Sequence, residues 1–176
     1  MSCDFIPAEK RDIPVIWEIL RAAIKRRKAD GSNQWQDGYP NPSILEADIS
    51  RKHGFILTKD SQIIGYAAVM MNDEPQYANI DGAWITKGDF IAFHRVAIAT
   101  DFLGKGYAQQ LILFIHDYAR KMNISSIKAD TNFDNTAMMG IFDKLGYSYC
   151  GGVLINGSPR RAYEKVIAAN GEDDLH

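Results

Sequence analysis

Apolar residues recur along this chain with two periods, and the switches between them mark out its elements. "DFIP" at the start reads as a short strand ended by Pro7. Over "RDIPVIWEILRAAIKRRKAD" apolar side chains stand at 13, 16, 17, 20 and 24, which is helical spacing, and Pro14 falls in the first turn. "GSNQWQDGYPNP" breaks that pattern with Gly, Asn and Pro and predicts a loop. "SILEADISRK" predicts a short helix with Ser43 as its cap. "GFILTK" and "QIIGYAAVMM" are rich in strand formers and flank "DS", a hairpin signal.

A turn-rich stretch, "NDEPQYANIDGAW", separates these from "DFIAFHRVAIA", the longest predicted strand. "GYAQQLILFIHDYARKMN" then places Leu111, Phe114, Ile115, Tyr118 and Met122 on one helical face, with His116 off it. "SSIKADT" is a strand. "NTAMMGIFDKLG" is a helix with Met138, Ile141, Phe142 and Leu145 inward and Gly146 at its end. "YSYCGGVLI" and "RRAYEKVI" close as two strands across "NGSP". Hairpins combined with βαβ crossovers predict an α/β chain with a mixed sheet layered by helices. Its 176 residues suit a single domain over 1–168, with a polar, acidic tail at 169–176.

Composition narrows the classes. A net charge of −2 gives no electrostatic footprint for nucleic acid. No apolar run reaches membrane-span length, and the N-terminus lacks the regions of a signal peptide, so a cytoplasmic protein is expected. Cys3 and Cys150 are too few for a disulfide framework or a Cys-rich zinc site, and the histidines (His53, His94, His116, His176) lack metal-ligand spacing. No metal is therefore expected.

"DFLGKGYAQQL" places Gly104, Gly106 and Ala108 where a strand hands over to a helix. Amides left uncovered there can turn toward a diphosphate, aided by the helix dipole. A tight turn needing glycine for backbone reasons is the alternative. A Walker loop is absent, and a dinucleotide fingerprint would need a small residue where Gln109 stands.

These residues resemble the GNAT superfamily of acyl-CoA-dependent N-acetyltransferases, whose signature Q/R-x-x-G-x-G/A is matched by Leu103, Gly104, Lys105, Gly106, Tyr107 and Ala108. Leu103 replaces the usual Arg or Gln. A second resemblance runs from Asn135 through Met138 to "FDKLGY" at 142–147, and the element order matches from residue 3 to 167. The resemblance implies a GNAT fold: a mostly antiparallel sheet with one splayed strand pair and helices on both faces. It implies acetyl-CoA as co-substrate and direct attack by a small-molecule or peptide amine in a ternary complex. A homodimer is common in the fold. A non-catalytic acyl-CoA sensor and an unrelated phosphate-ligand domain are the other readings.

Residue by residue, the resemblance implies that the backbone of Val96, Ala97 and Ile98 holds the pantetheine arm, with an amide near Val96 polarising the thioester carbonyl. Residues 103–108 would hold the diphosphate, with Lys105 in reach of the ribose phosphate. Asn135 would touch the cofactor arm, or act only as a cap. Phe142 lines the cofactor at a position where relatives often carry Tyr as the acid, so restoring Tyr there is expected to be tolerated. Tyr147, Tyr149 and Tyr163 are the alternative donors. His94, on the strand face of Val96, is the candidate base, since imidazole as a class titrates near neutrality; a structural histidine is the alternative. Arg95 is expected to be structural. Trp35, Asp37 and Tyr39 would wall an acceptor pocket by the first helix, or pack their aromatics on the core.

Overall fold

The computed structural model describes residues 2–169. His176 and nearly all of the expected polar tail lie outside the described residues. Eight strands are present: β1 (Cys3–Pro7), β2 (Gly54–Lys59), β3 (Gln62–Met71), β4 (Asp81–Gly82), β5 (Phe90–Ile98), β6 (Ser126–Thr131), β7 (Ser148–Ile155) and β8 (Ser158–Val166). Four helices accompany them: α1 (Ile13–Ala29), α2 (Pro42–Ser50), α3 (Tyr107–Lys121) and α4 (Thr136–Lys144). The sheet order is β1-β2-β3-β5-β6-β8-β7-β4. It is mostly antiparallel; β5 and β6 form the parallel pair, joined by the α3 crossover that such a pair requires. Among the described residues no helix is long and apolar enough to cross a membrane.

The chain divides into two compact units. The first comprises Met1–Val69 and Arg95–Ile112. Here α1 buries Ile16, Ile19, Leu20 and Ala23, a clean i, i+3, i+4, i+7 stripe, against Leu45, Ile56, Tyr66 and Ala97. Trp17, on the expected stripe, lies at its half-buried flank. The cap of α2 is not Ser43 but Asn41, whose Oδ1 accepts from the Ile44 amide at 3.0 Å, with Pro42 at the first helical position. The β2–β3 turn is Asp60-Ser61, both left-handed at φ 50° and 66°, the twist that suits a two-residue hairpin.

The second unit comprises Met70–His94 and Leu113–His176. Its core gathers Ile115, Ala119, Ile127, Ala129, Phe142 and Leu145. Two expectations about α3 are corrected. Met122 is 41% exposed, and His116 is fully buried, one turn from Ile112 and Ala119 on the inward face. The imidazole is tolerated there because its Nε2 lies 2.7 Å from the Tyr147 hydroxyl. The β7–β8 turn is Asn156-Gly157, and Ser158 and Pro159 already belong to β8. At the far edge, β4 meets β7 through two glycines. A Cβ on Gly82 would stand 2.1 Å from the Cys150 carbonyl oxygen, and one on Gly151 2.2 Å from that of Asp81.

Candidate functional site

In the first unit, β5 leads through a 3₁₀ turn at Thr100–Phe102 into the glycine stretch and then α3. Gly104 and Gly106 are left-handed, at φ 73° and 83°. A Cβ on either would meet nothing within 4 Å, so conformation rather than crowding selects glycine. Leu103 through Gly106 are exposed, and the first amides of α3 point out of the helix start as at any N-terminus. An open turn of backbone amides before a 15-residue helix fits a diphosphate. Tyr107 is held in place by Lys59, whose Nζ donates to its hydroxyl at 2.7 Å. Lys105 leans back over the Phe102 ring and toward the Asp101 carbonyl. Ala97 and Ile98 are buried and Val96 half-buried. Arg26 donates to the Ile98 carbonyl at 3.3 Å and to the Thr100 hydroxyl at 3.0 Å, bracing the end of β5.

Arg95, the residue between His94 and Val96, is left-handed at φ 57°. The alternation expected to turn His94 and Val96 to one face is therefore interrupted between them. The Arg95 guanidinium grips the Asp48 carboxylate with two nitrogens, Nε at 3.0 Å and Nη2 at 2.6 Å, and Nη1 donates to the Tyr39 hydroxyl. The Tyr66 hydroxyl donates to Asp48 at 2.6 Å. Burial, then the charge and hydrogen bond of Asp48, push the Tyr66 phenol above its ordinary range. Burial works against the Arg95 charge, but Tyr39 and Asp48 outweigh it and hold the guanidinium above its ordinary value.

Of the loop residues, Trp35 is left-handed at φ 63°, packs on the core and lines an open cleft of about 370 Å³ with Trp17, Arg21, Ile24 and Lys25. Asp37 is exposed and accepts from the Tyr39 amide at 3.4 Å, while Tyr39 turns to Arg95. The structure thus separates the three residues expected to share a pocket: Trp35 alone lines the cleft, whose charged lining is cationic.

In the second unit His94 stands between two carboxylates, with Nε2 2.9 Å from Glu74 and Nδ1 3.5 Å from Asp130. The Glu74 contact is a close approach, off the line of a hydrogen bond. Asp130 is fixed by the Tyr77 hydroxyl at 2.6 Å. Burial pushes the Glu74 carboxyl up, but the imidazole and the Gln76 amide more than offset it, leaving it below the usual carboxylate range. The sequence showed no partner for His94; a lone histidine in an apolar strand was the signal that partners were needed.

Tyr147 is buried against His116, and Tyr163 is buried with its hydroxyl accepting from Arg161 at 3.0 Å. Tyr149 is 52% exposed. Phe142 has no exposed surface; its ring meets Tyr163 at 4.6 Å, Tyr147 at 5.0 Å and Phe93 at 6.3 Å. Asn135 caps α4, accepting from the Met138 amide at 3.1 Å. Among the described residues no group of three or more His, Cys, Asp or Glu side chains is arranged to hold a metal ion.

Comparison with known proteins agrees with this architecture. The acetyltransferase (GNAT) family model matches residues 17–147. A GNAT-family acetyltransferase structure from Streptococcus agalactiae is 31% identical, with TM-score 0.88, covering 96% of this chain and 97% of that one. A structure from Staphylococcus aureus Mu50 shares the fold at 22% identity, with TM-score 0.69 over 92% of this chain and 97% of that one. A Salmonella typhimurium protein, solved with its cofactor acetyl-CoA, shares the fold at 15% identity and TM-score 0.67, covering 94% of each chain. No curated protein sequence matches the chain.

Proposed function

From the premise that the chain belongs to the GNAT acetyltransferase family, we propose that it moves an acetyl group from acetyl-CoA to a primary amine of a small molecule or peptide, by direct attack in a ternary complex. The observation that carries this reading is the exposed, left-handed Gly104–Gly106 turn opening α3. Amides of residues 104–108 would hold the diphosphate, and the backbone of Val96, Ala97 and Ile98 the pantetheine arm, as an added strand is held. Acetyl-CoA supplies the acyl group as a thioester, whose thiolate leaves near neutral pH with little help from an acid. That suits a chain whose Tyr147 hydroxyl is engaged with His116; the Tyr163 hydroxyl accepts from Arg161 and keeps its proton, so Tyr163, Tyr149 and solvent remain as donors.

An attacking amine must lose a proton. The His94–Glu74 pair is the acceptor in this reading: Glu74, held below the usual carboxylate range, is ionised at neutral pH beside the imidazole. Asp130, itself fixed by Tyr77, orients the ring from Nδ1. Thiol release from acetyl-CoA across a panel of amines tests the reaction. Binding without thiol release for every amine would favour the sensor reading. With a working amine, His94→Ala should lower kcat/KM by at least about 100-fold while leaving the acetyl-CoA Kd unchanged. A folded variant with wild-type kcat/KM would remove His94 from the mechanism.

A further inference from the structure

We propose that Arg95 is a positioning residue. Its grip on Asp48 holds residue 95 left-handed within β5, which sets the backbone of Val96–Ile98 for the cofactor, and its bond to Tyr39 ties the loop carrying Trp35 to the same point. This rests on the reading that the β5 backbone holds acyl-CoA.

A bulky residue at φ 57° in a strand is rare and strained, and persists only where its surroundings over-determine it. Here they do. Four separate stretches converge on one carboxylate and one guanidinium: Tyr39 from the loop, Asp48 from α2, Tyr66 from β3 and Arg95 from β5. Asp48 is 5% exposed and accepts three hydrogen bonds, so moving Arg95 would unpair a buried charge and moving Tyr66 would cost that charge a hydrogen bond. A buried ion pair is a poor way to gain stability, since well-packed apolar residues often do as well; what it supplies is geometry. The strain stands where geometry matters. The paired register of β5 with β6 ends at Ala92 with Lys128, although β5 runs on to Ile98 and β6 to Thr131. A left-handed residue re-aims the peptide units that follow it, and the next is that of Val96.

The test separates backbone from side chain. On an Asp48→Asn background, which removes the charge but keeps an acceptor for Tyr66, Arg95→Gly is compared with Arg95→Ala. Glycine takes the left-handed conformation without penalty; alanine does not. Calorimetry with acetyl-CoA should place the glycine variant within about threefold of the Asp48→Asn parent and the alanine variant about tenfold weaker. Amide exchange at Val96 and Ile98, without ligand, should change in the alanine variant only. Equal Kd and equal exchange in the two would overturn the proposal. If the parent protein binds no acetyl-CoA, the functional reading fails separately, and the ligand-free exchange comparison still decides the role of Arg95. Should either double variant not fold, Arg95→Lys, which keeps the charge but loses the fork, is scored by the same exchange, altered at Val96 if the fork sets the backbone and unaltered if it does not. For the loop, Tyr39→Phe should leave the acetyl-CoA Kd unchanged and speed proteolysis within residues 31–41 severalfold; an unchanged cleavage rate would remove that half of the proposal.

Discussion

Phe142 shows how closely one side chain can be constrained. The family resemblance makes a tyrosine there attractive, but the ring is sealed among Phe93, Tyr147 and Tyr163. A hydroxyl added at a site with no exposed surface must displace a neighbour or go unpaired. Phe142→Tyr is therefore expected to lose about 1–3 kcal/mol. Thermal unfolding should show Tm lower by roughly 2–4 °C for each of those kcal/mol. An unchanged Tm would mean that the aromatic ring has slack. This reverses the expectation of tolerance drawn from the sequence, and the reason is physical: resemblance aligns positions, whereas enclosure depends on residues as distant as Phe93 and Tyr163.

At the scale of elements, the turn before α3 makes the sharpest prediction. Gly106→Glu forces a side chain into a left-handed conformation, at about 1–2 kcal/mol, and brings a negative charge to the amides proposed to hold the diphosphate. Acetyl-CoA affinity measured by calorimetry should fall at least about tenfold. Since nothing lies within 4 Å of a Cβ there, the fold should survive. An unchanged Kd in a folded variant would remove the turn from the cofactor site. The helices of this chain were legible from their period and seven of the strands from runs of strand formers, whereas β4 lay inside the stretch read as turns; both hairpin turns were marked by their residues. What escaped was set by partners remote in sequence. Asp48 is three positions from Leu45 on the inward face of α2, and Arg95 is embedded in "FIAFHRVAI". Each alone reads as an ordinary charge, and only together are they a buried pair. His116 escaped for the same reason, as its partner Tyr147 lies 31 residues on.

For the whole molecule, the contact of Glu74 with His94 links folding to acidity. The carboxyl is held below its ordinary value in the folded chain, so the unfolded chain binds its proton first as pH falls. Its contribution is complete above the ordinary glutamate value, about 4.3, and is lost as pH falls through the lower folded value. Glu74→Gln should thus lose more stability at pH 7 than near pH 3, read as the difference in urea midpoints. A midpoint difference that stays constant across that range would show the contact to be energetically silent. The tryptophans add a different consequence. Trp17 and Trp35 flank the cleft of the first unit, while Trp84 leans on Tyr77 in the second and lies 4.6 Å from the Lys128 ammonium. With three indoles so divided, the chain carries its own optical labels. A Trp84→Phe protein would have indole emission only from the cleft, so occupancy of that cleft could be followed by light alone, with no dye attached.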